Sequence, residues 1–102
     1  MVDPDGIELE ETASKGRYLF RGAAGAEAQM TFSKAGARLI IIDHTEVPDA
    51  FRGQGVGQAL VARAVADARA QGKRILPLCP FAASQFRRHP DWADVLSSPK
   101  QG

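Results

Sequence analysis

Apolar and polar residues alternate through the first half of the chain, and then the period changes. Ala26, Ala28, Met30 and Phe32 fall on one side of residues 26–33, with Glu27, Gln29, Thr31 and Ser33 on the other. That period of two predicts a half-buried strand. Residues 16–21 form a shorter, aromatic-bearing strand before it, with Gly22 and Gly25 marking the turn between them. Lys34-Ala35-Gly36 is a tight connection of the hairpin kind. Residues 37–47, with three consecutive isoleucines, give the plainest strand of the chain. A further strand is read near residues 7–11.

Pro48 stops the strand pattern, and a glycine-spaced loop follows, Phe51-Arg52-Gly53-Gln54-Gly55-Val56-Gly57. From about 55 to 71 the apolar positions recur every four residues. Val56, Leu60, Ala64 and Ala68 form the stripe, Val61 and Val65 lie beside it, and Arg63, Asp67 and Arg69 turn the other way. This predicts an amphipathic helix, and its alanines favour helix and close packing on a sheet. Gly72 stands where a C-terminal cap belongs, with Lys73 and Arg74 at the negative end of the helix dipole. Residues 75–78 read as a short strand in which Pro77 signals an edge, a bulge or a strand leaving its neighbour. Cys79-Pro80 opens a second helix to about residue 88, which Pro90 ends. Residues 91–96 read as one more helical turn, N-capped by Asp91, and 97–102 as a frayed tail. The order predicts an α/β domain: antiparallel N-terminal strands lead into a right-handed parallel βαβ unit, and two to three helices flank a mixed sheet. A single domain spans 1–102, with its core at about 16–96.

Composition narrows the setting. The chain has 102 residues and a mass of 10.9 kDa, with 44% apolar and 25% charged residues, the balance of a soluble globular domain. Leu39-Ile40-Ile41-Ile42 is its longest strongly apolar run, far short of the ~20 residues of a membrane span. Asp3, Asp5, Glu8, Glu10 and Glu11 stand where a signal peptide would be basic. One cysteine excludes an internal disulfide. The expectation is a cytoplasmic protein without membrane contact and without a metal.

The net charge of +1 is unevenly spread. Five bases and nine acids leave −4 in residues 1–50; eight bases and three acids leave +5 in residues 51–102. A basic half suits a phosphorylated ligand, although halves of a sequence need not be faces of a fold. Nucleic acid is not expected: the pI is about 7.9, below the >9 of a dedicated binding domain, and no Lys/Arg run exceeds two.

A glycine-rich loop between a strand and a helix is an anion site on physical grounds, because backbone N–H groups and the helix N-terminus converge there. Two phosphate motifs fail in this loop. A Walker loop needs Lys-Ser/Thr after the glycine, but Gln58-Ala59 follows Gly57. The dinucleotide pattern needs a glycine at Gln58 or Leu60. The remaining pattern, [Gln/Arg]-x-x-Gly-x-[Gly/Ala], is met by Arg52, Gly55 and Gly57. It resembles the acyl-CoA pyrophosphate loop of the GNAT N-acetyltransferase superfamily. The strings His44-Thr45-Glu46-Val47-Pro48, Arg52-Gly53-Gln54-Gly55-Val56-Gly57 and Leu78-Cys79-Pro80-Phe81, in this order, resemble a minimal single-domain GNAT subfamily. The resemblance covers about residues 16–96.

It implies a GNAT-like α+β fold that binds acetyl-CoA as acyl donor. The amides of Gln54, Gly55, Val56, Gly57 and Gln58 would face the pyrophosphate, with Arg52 at the first motif position and Gly53 a further cofactor-binding residue of the loop. The pantetheine arm would enter between the strand before the loop and the next strand, and the Val47 N–H would polarise the thioester carbonyl. The acceptor would be a primary amine, on a small molecule or on a protein lysine or N-terminus. His44 and Glu46 fall on one face of their strand, and either is placed to accept the ammonium proton; the structural alternatives are a hydrogen-bonded strand histidine and a solvated strand end. Cys79, just before a helix that starts at Pro80, is placed to protonate the leaving thiolate or to take the acyl group; the alternative is a small buried hydrophobe. Arg87 and Arg88 are candidates for the CoA 3′-phosphate or a solvated helix end.

Two features depart from the wider superfamily. Its tyrosine general acid has no counterpart on the helix carrying Phe81 and Phe86, and the single tyrosine, Tyr18, is remote in sequence. Residues 12–16 leave no length for the helices that shape the acceptor site, so that side stays open or is shared in a homodimer. The rival readings are a non-catalytic acyl-CoA-binding module and a nucleotide-binding interaction domain.

Overall fold

The computed structural model describes residues 6–22 and 25–97. The tail expected to fray lies, past Ser97, outside the described residues. Strands β1 (Glu8–Glu11), β2 (Lys15–Arg21), β3 (Glu27–Lys34) and β4 (Leu39–Glu46) pair antiparallel in succession. Strand β5 (Arg74–Pro77) joins β4 in parallel, giving the order β1-β2-β3-β4-β5. Helix α1 (Val56–Gln71) makes the crossover, and α2 (Pro80–Arg88) follows β5. Short 3-10 turns lie at Asp49–Phe51 and Pro90–Val95. The expected order, antiparallel N-terminal strands leading into a parallel βαβ unit, is present in a mixed α+β fold.

One face of the sheet carries the core. Register places Tyr18 beside Met30, Gly16 beside Phe32, and Ile40 beside Ile75. These apolar side chains join Ile42 and the α1 stripe Val56, Leu60, Val61, Ala64, Val65 and Ala68 in a single buried cluster. Full burial of a residue such as Leu60 or Ile75 is worth about 1.5–3 kcal/mol each. Gly72 ends α1 in the left-handed region, and Lys73 N–H closes onto the Ala68 carbonyl at 2.8 Å.

The other face is polar yet hides one apolar residue. Leu19 alternates onto it, between Glu8 and Gln29, and is fully buried. Arg17 and Arg21 flank it, ion-paired to Glu10 and to Glu8 and Glu27. Their aliphatic stems can cover Leu19 while their heads stay in water.

The C-terminal segment differs from expectation in one detail. Its 3-10 turn starts at Pro90 with His89, rather than Asp91, in the cap position, and no side chain caps it. Proline's fixed φ suits a first helical position, which moves the start one residue earlier. Trp92 packs edge-on against Phe86 at 5.7 Å, and the His89 ring stacks on Trp92 at 3.9 Å. His89 Nδ1 donates to the Gln85 carbonyl at 2.9 Å, so this histidine finishes α2. Arg69 ties α1 to the segment by donating to Asp94 at 2.8 Å.

Candidate functional site

Strand β4 changes phase before it reaches the loop. Phe32 lies opposite Ile42, but Thr31 lies opposite His44, so Asp43 is an extra residue bulged out of the ladder. Ile40 and Ile42 point toward α1 and are buried. Past the bulge the parity reverses. Thr45 takes the core side opposite buried Met30, while His44 and Glu46 turn outward beside Thr31 and Gln29. Asp43 is fastened there by the Ser33 hydroxyl, which donates to it at 2.8 Å.

At the same point β4 parts from β5. Their last pair is Ile42 with Pro77, which has no N–H to extend the ladder. The next two N–H groups, of Leu78 and Cys79, both turn back to the Ile42 carbonyl at 3.1 and 3.2 Å. Asp43 to Glu46 therefore run on against β3 alone, and β5 leads into α2. Pro77 marks a strand leaving its neighbour, one of the three readings its position allows.

The glycine loop follows β4 past this parting, and its Gly57 lies against Phe81 of α2. Gly53 and Gly55 adopt φ of +79° and +73°, a region side chains rarely enter. Gly57 is constrained differently, since a Cβ there would lie 2.5 Å from the Phe81 ring. Phe51 anchors the loop: it is buried, packs edge-on against Phe20 at 5.3 Å, and fits only because Gly22 has no side chain. Among the described residues, the N–H groups of Gly53, Gly55, Val56, Gly57 and Gln58 meet no backbone carbonyl. The last three belong to the first turn of α1, where no intrahelical partner exists. Gln54 differs from its neighbours: its N–H closes a turn onto the Phe51 carbonyl at 3.1 Å, and its side chain donates to the Ala50 carbonyl. Arg52 is exposed and donates to Asp49 at 3.1 Å. Val47, just past β4, has an N–H without a partner among the described residues.

Cys79 caps α2 and is 5% exposed. Its thiol donates to Thr45 Oγ1 at 3.4 Å. Burial pushes the thiol pKa up, but the Thr45 hydroxyl and the N–H groups of Ala82, Phe81 and Thr45 stabilise the thiolate and bring the net shift below the ordinary value. The thiol makes no formed capping bond; the helix N-terminus acts on its charge. His44 and Glu46 meet on the outer face, with Nε2 and Oε2 3.7 Å apart and both side chains more than half exposed. The structure thus joins His44 to Glu46 and Cys79 to Thr45, on opposite faces of β4. Sequence reasoning did not single out Thr45 or Asp43, because a bulge leaves no composition signal.

The model of the GCN5-related N-acetyltransferase family matches residues 17–95, which include the bulge, the parting and the loop. The chain belongs to the GCN5-related N-acetyltransferases. A GCN5-like candidate N-acetyltransferase from Staphylococcus aureus, solved in solution by NMR, is 28% identical with a TM-score of 0.69. The match covers 94% of this chain and 93% of that one. No curated protein matches the chain. The chain is accordingly an acetyltransferase of a family that in general takes acetyl-CoA as donor.

The tyrosine of this acetyltransferase takes no part in the site. Tyr18 is buried on β2 and donates to Asp67 of α1 at 2.9 Å, and Asp67 also accepts from Arg63. Burial first, and then the bond to Asp67, raise the phenol well above its ordinary value. On the outer face an open cavity of about 520 Å³ adjoins β4; Arg17, Thr31 and Asp43 are among its walls. Among the described residues no group of His, Cys, Asp or Glu is placed to hold a metal ion, and no helix is long and apolar enough to cross a membrane.

Proposed function

We propose that this chain transfers the acetyl group of acetyl-CoA directly to a primary amine in a ternary complex. One observation carries the reading: the β4–β5 parting opens beside a loop whose N–H groups at Gly53 and Gly55 to Gln58 are without carbonyl partners. A row of free N–H groups at a helix start favours a pyrophosphate, and an open strand edge favours the amide-bearing arm behind it.

The thioester supplies an activated acyl carbon. The Val47 N–H donates to its carbonyl oxygen as charge builds there. His44 or Glu46 takes the proton of the acceptor ammonium, freeing the nitrogen lone pair to bond to the carbonyl carbon. The C–S bond breaks, Cys79 gives its proton to the departing thiolate, and the acylated nitrogen gives up its second proton to water, leaving a neutral amide; Thr45 and the head of α2 stabilise the Cys79 thiolate until water reprotonates it. The acceptor enters on the outer face, where the cavity beside Asp43 is open. It is a small-molecule amine or a protein lysine or N-terminus, and a second copy of the chain is one way to enclose it.

The second reading is a module that binds acyl-CoA without turnover. It is favoured by the short connection at residues 12–14 between β1 and β2, which leaves no helix to build an acceptor pocket. Calorimetric titration with acetyl-CoA, against ATP and NAD as controls, tests the shared premise. Saturable binding of acetyl-CoA alone is expected; no binding at millimolar ligand overturns both readings. Loss of turnover in His44→Ala and Cys79→Ala with retained acetyl-CoA affinity selects the enzyme. No acceleration of CoA release by any amine selects the module.

A further inference from the structure

Four strands contribute to one continuous line of polar contacts across the outer face. Glu10 of β1 accepts from Arg17 Nε of β2 at 2.9 Å. Arg17 Nη1 donates to Gln29 Oε1 of β3 at 3.0 Å. Gln29 Nε2 donates to Glu46 Oε1 of β4 at 2.8 Å, and Glu46 Oε2 faces His44 Nε2 at 3.7 Å.

The chemistry of each link fixes the next. A guanidinium has donors and no acceptor, so the Gln29 atom that meets Arg17 must be the carbonyl oxygen. The Gln29 NH2 is thereby turned to Glu46, whose ionised carboxylate can only accept. One Glu46 oxygen is committed to Gln29, and the other is left for the imidazole. A carboxylate beside Nε2 favours the tautomer protonated there, which leaves the lone pair on Nδ1.

We infer that Gln29 is a positioning residue: held by Arg17, it orients Glu46 so that His44 keeps its proton on Nε2 and presents the Nδ1 lone pair to the acceptor. The inference rests on the proposed transfer reaction and selects His44 over Glu46 as the group that takes the proton. The arrangement stands on strands rather than on the loop, so its geometry is held by the sheet.

Two variants test it. Gln29→Leu removes both polar contacts. Gln29→Glu keeps the partner of Arg17 and nearly the same shape, but it sets a carboxylate against Glu46; it serves if the leucine variant misfolds. Nitrogen chemical shifts of the neutral His44 ring report its tautomer without any need for turnover. The wild type is expected to show Nε2–H, and the variants a mixture. With the acetyl-CoA Kd unchanged, kcat is expected to fall about tenfold, a part of the roughly 10²–10⁴-fold that a positioned general base contributes. An unchanged tautomer overturns the inference. So does a shifted tautomer with unchanged kcat, because Gln29 would then be structural only. If the wild type binds no acetyl-CoA, the proposed function fails, while the tautomer comparison still decides whether Gln29 orients the pair.

Discussion

Thr45 and Cys79 are 34 residues apart in sequence, and their hydroxyl and thiol meet at 3.4 Å across the gap where β4 and β5 part. Thr45 reaches that position only because Asp43 is bulged out of the strand. The contact stabilises the thiolate, so the Cys79 thiol is expected to be alkylated with a pH midpoint below that of free cysteine. Thr45→Val keeps the shape and removes the hydroxyl. Its iodoacetamide rate profile should shift toward the ordinary thiol value, and a profile identical to wild type would show that the helix terminus alone sets the thiol.

Gly57 and Phe81 form a tight pair at the loop. Gly57→Ala forces the Phe81 ring aside, and the stability loss is expected to be about 1 kcal/mol, the low end for an overpacked contact, because that ring is partly exposed and can move. The penalty should vanish in a Phe81→Ala background. Denaturant midpoints of the four proteins give the coupling; equal penalties in both backgrounds would disprove the contact.

Tyr18 provides a stability signature in alkali. The folded phenol titrates above the unfolded one, which ionises near 10. The stabilisation from its neutral hydroxyl is therefore complete below about pH 10 and declines as pH rises toward the folded value. Tyr18→Phe removes one bond to a carboxylate that Arg63 still holds. It should cost about 1–2 kcal/mol at neutral pH and should lack the alkaline decline. Turnover should be unaffected; a large fall in kcat would make Tyr18 the missing general acid.

Much of the fold was legible because periodicity and punctuation agreed. The alternation of Ala28, Met30 and Phe32, the α1 stripe and the Gly72 cap all sit where their spacing puts them. Local steric rules sufficed for these. The glycine loop was legible for the same reason, since Gly53 and Gly55 occupy conformations that few other residues adopt. The pairings of the site were not legible. A bulge is decided by how β3 and β4 settle against each other, so nothing in His44-Thr45-Glu46 shows that its middle residue turns to the core. Gln29 likewise reads as any outward polar residue of a strand until the register sets it beside Glu46. Gln54 reads as one more loop amide until the turn onto Phe51 engages its N–H.

The extra residue at Asp43 works as a frame shift written into the backbone. Were it threaded into the ladder instead of bulged out, strict alternation would carry His44 and Glu46 into the oily layer, with Thr45 thrown out to water. The three residues would survive in the gene with their order intact, and every one would face the wrong way. Variation in this region is therefore counted in length as well as in letters: losing Asp43 leaves Ile42 beside Phe32 and His44 beside Thr31, whereas a residue added to the strand after it has to be bulged out in turn if the facing is to survive.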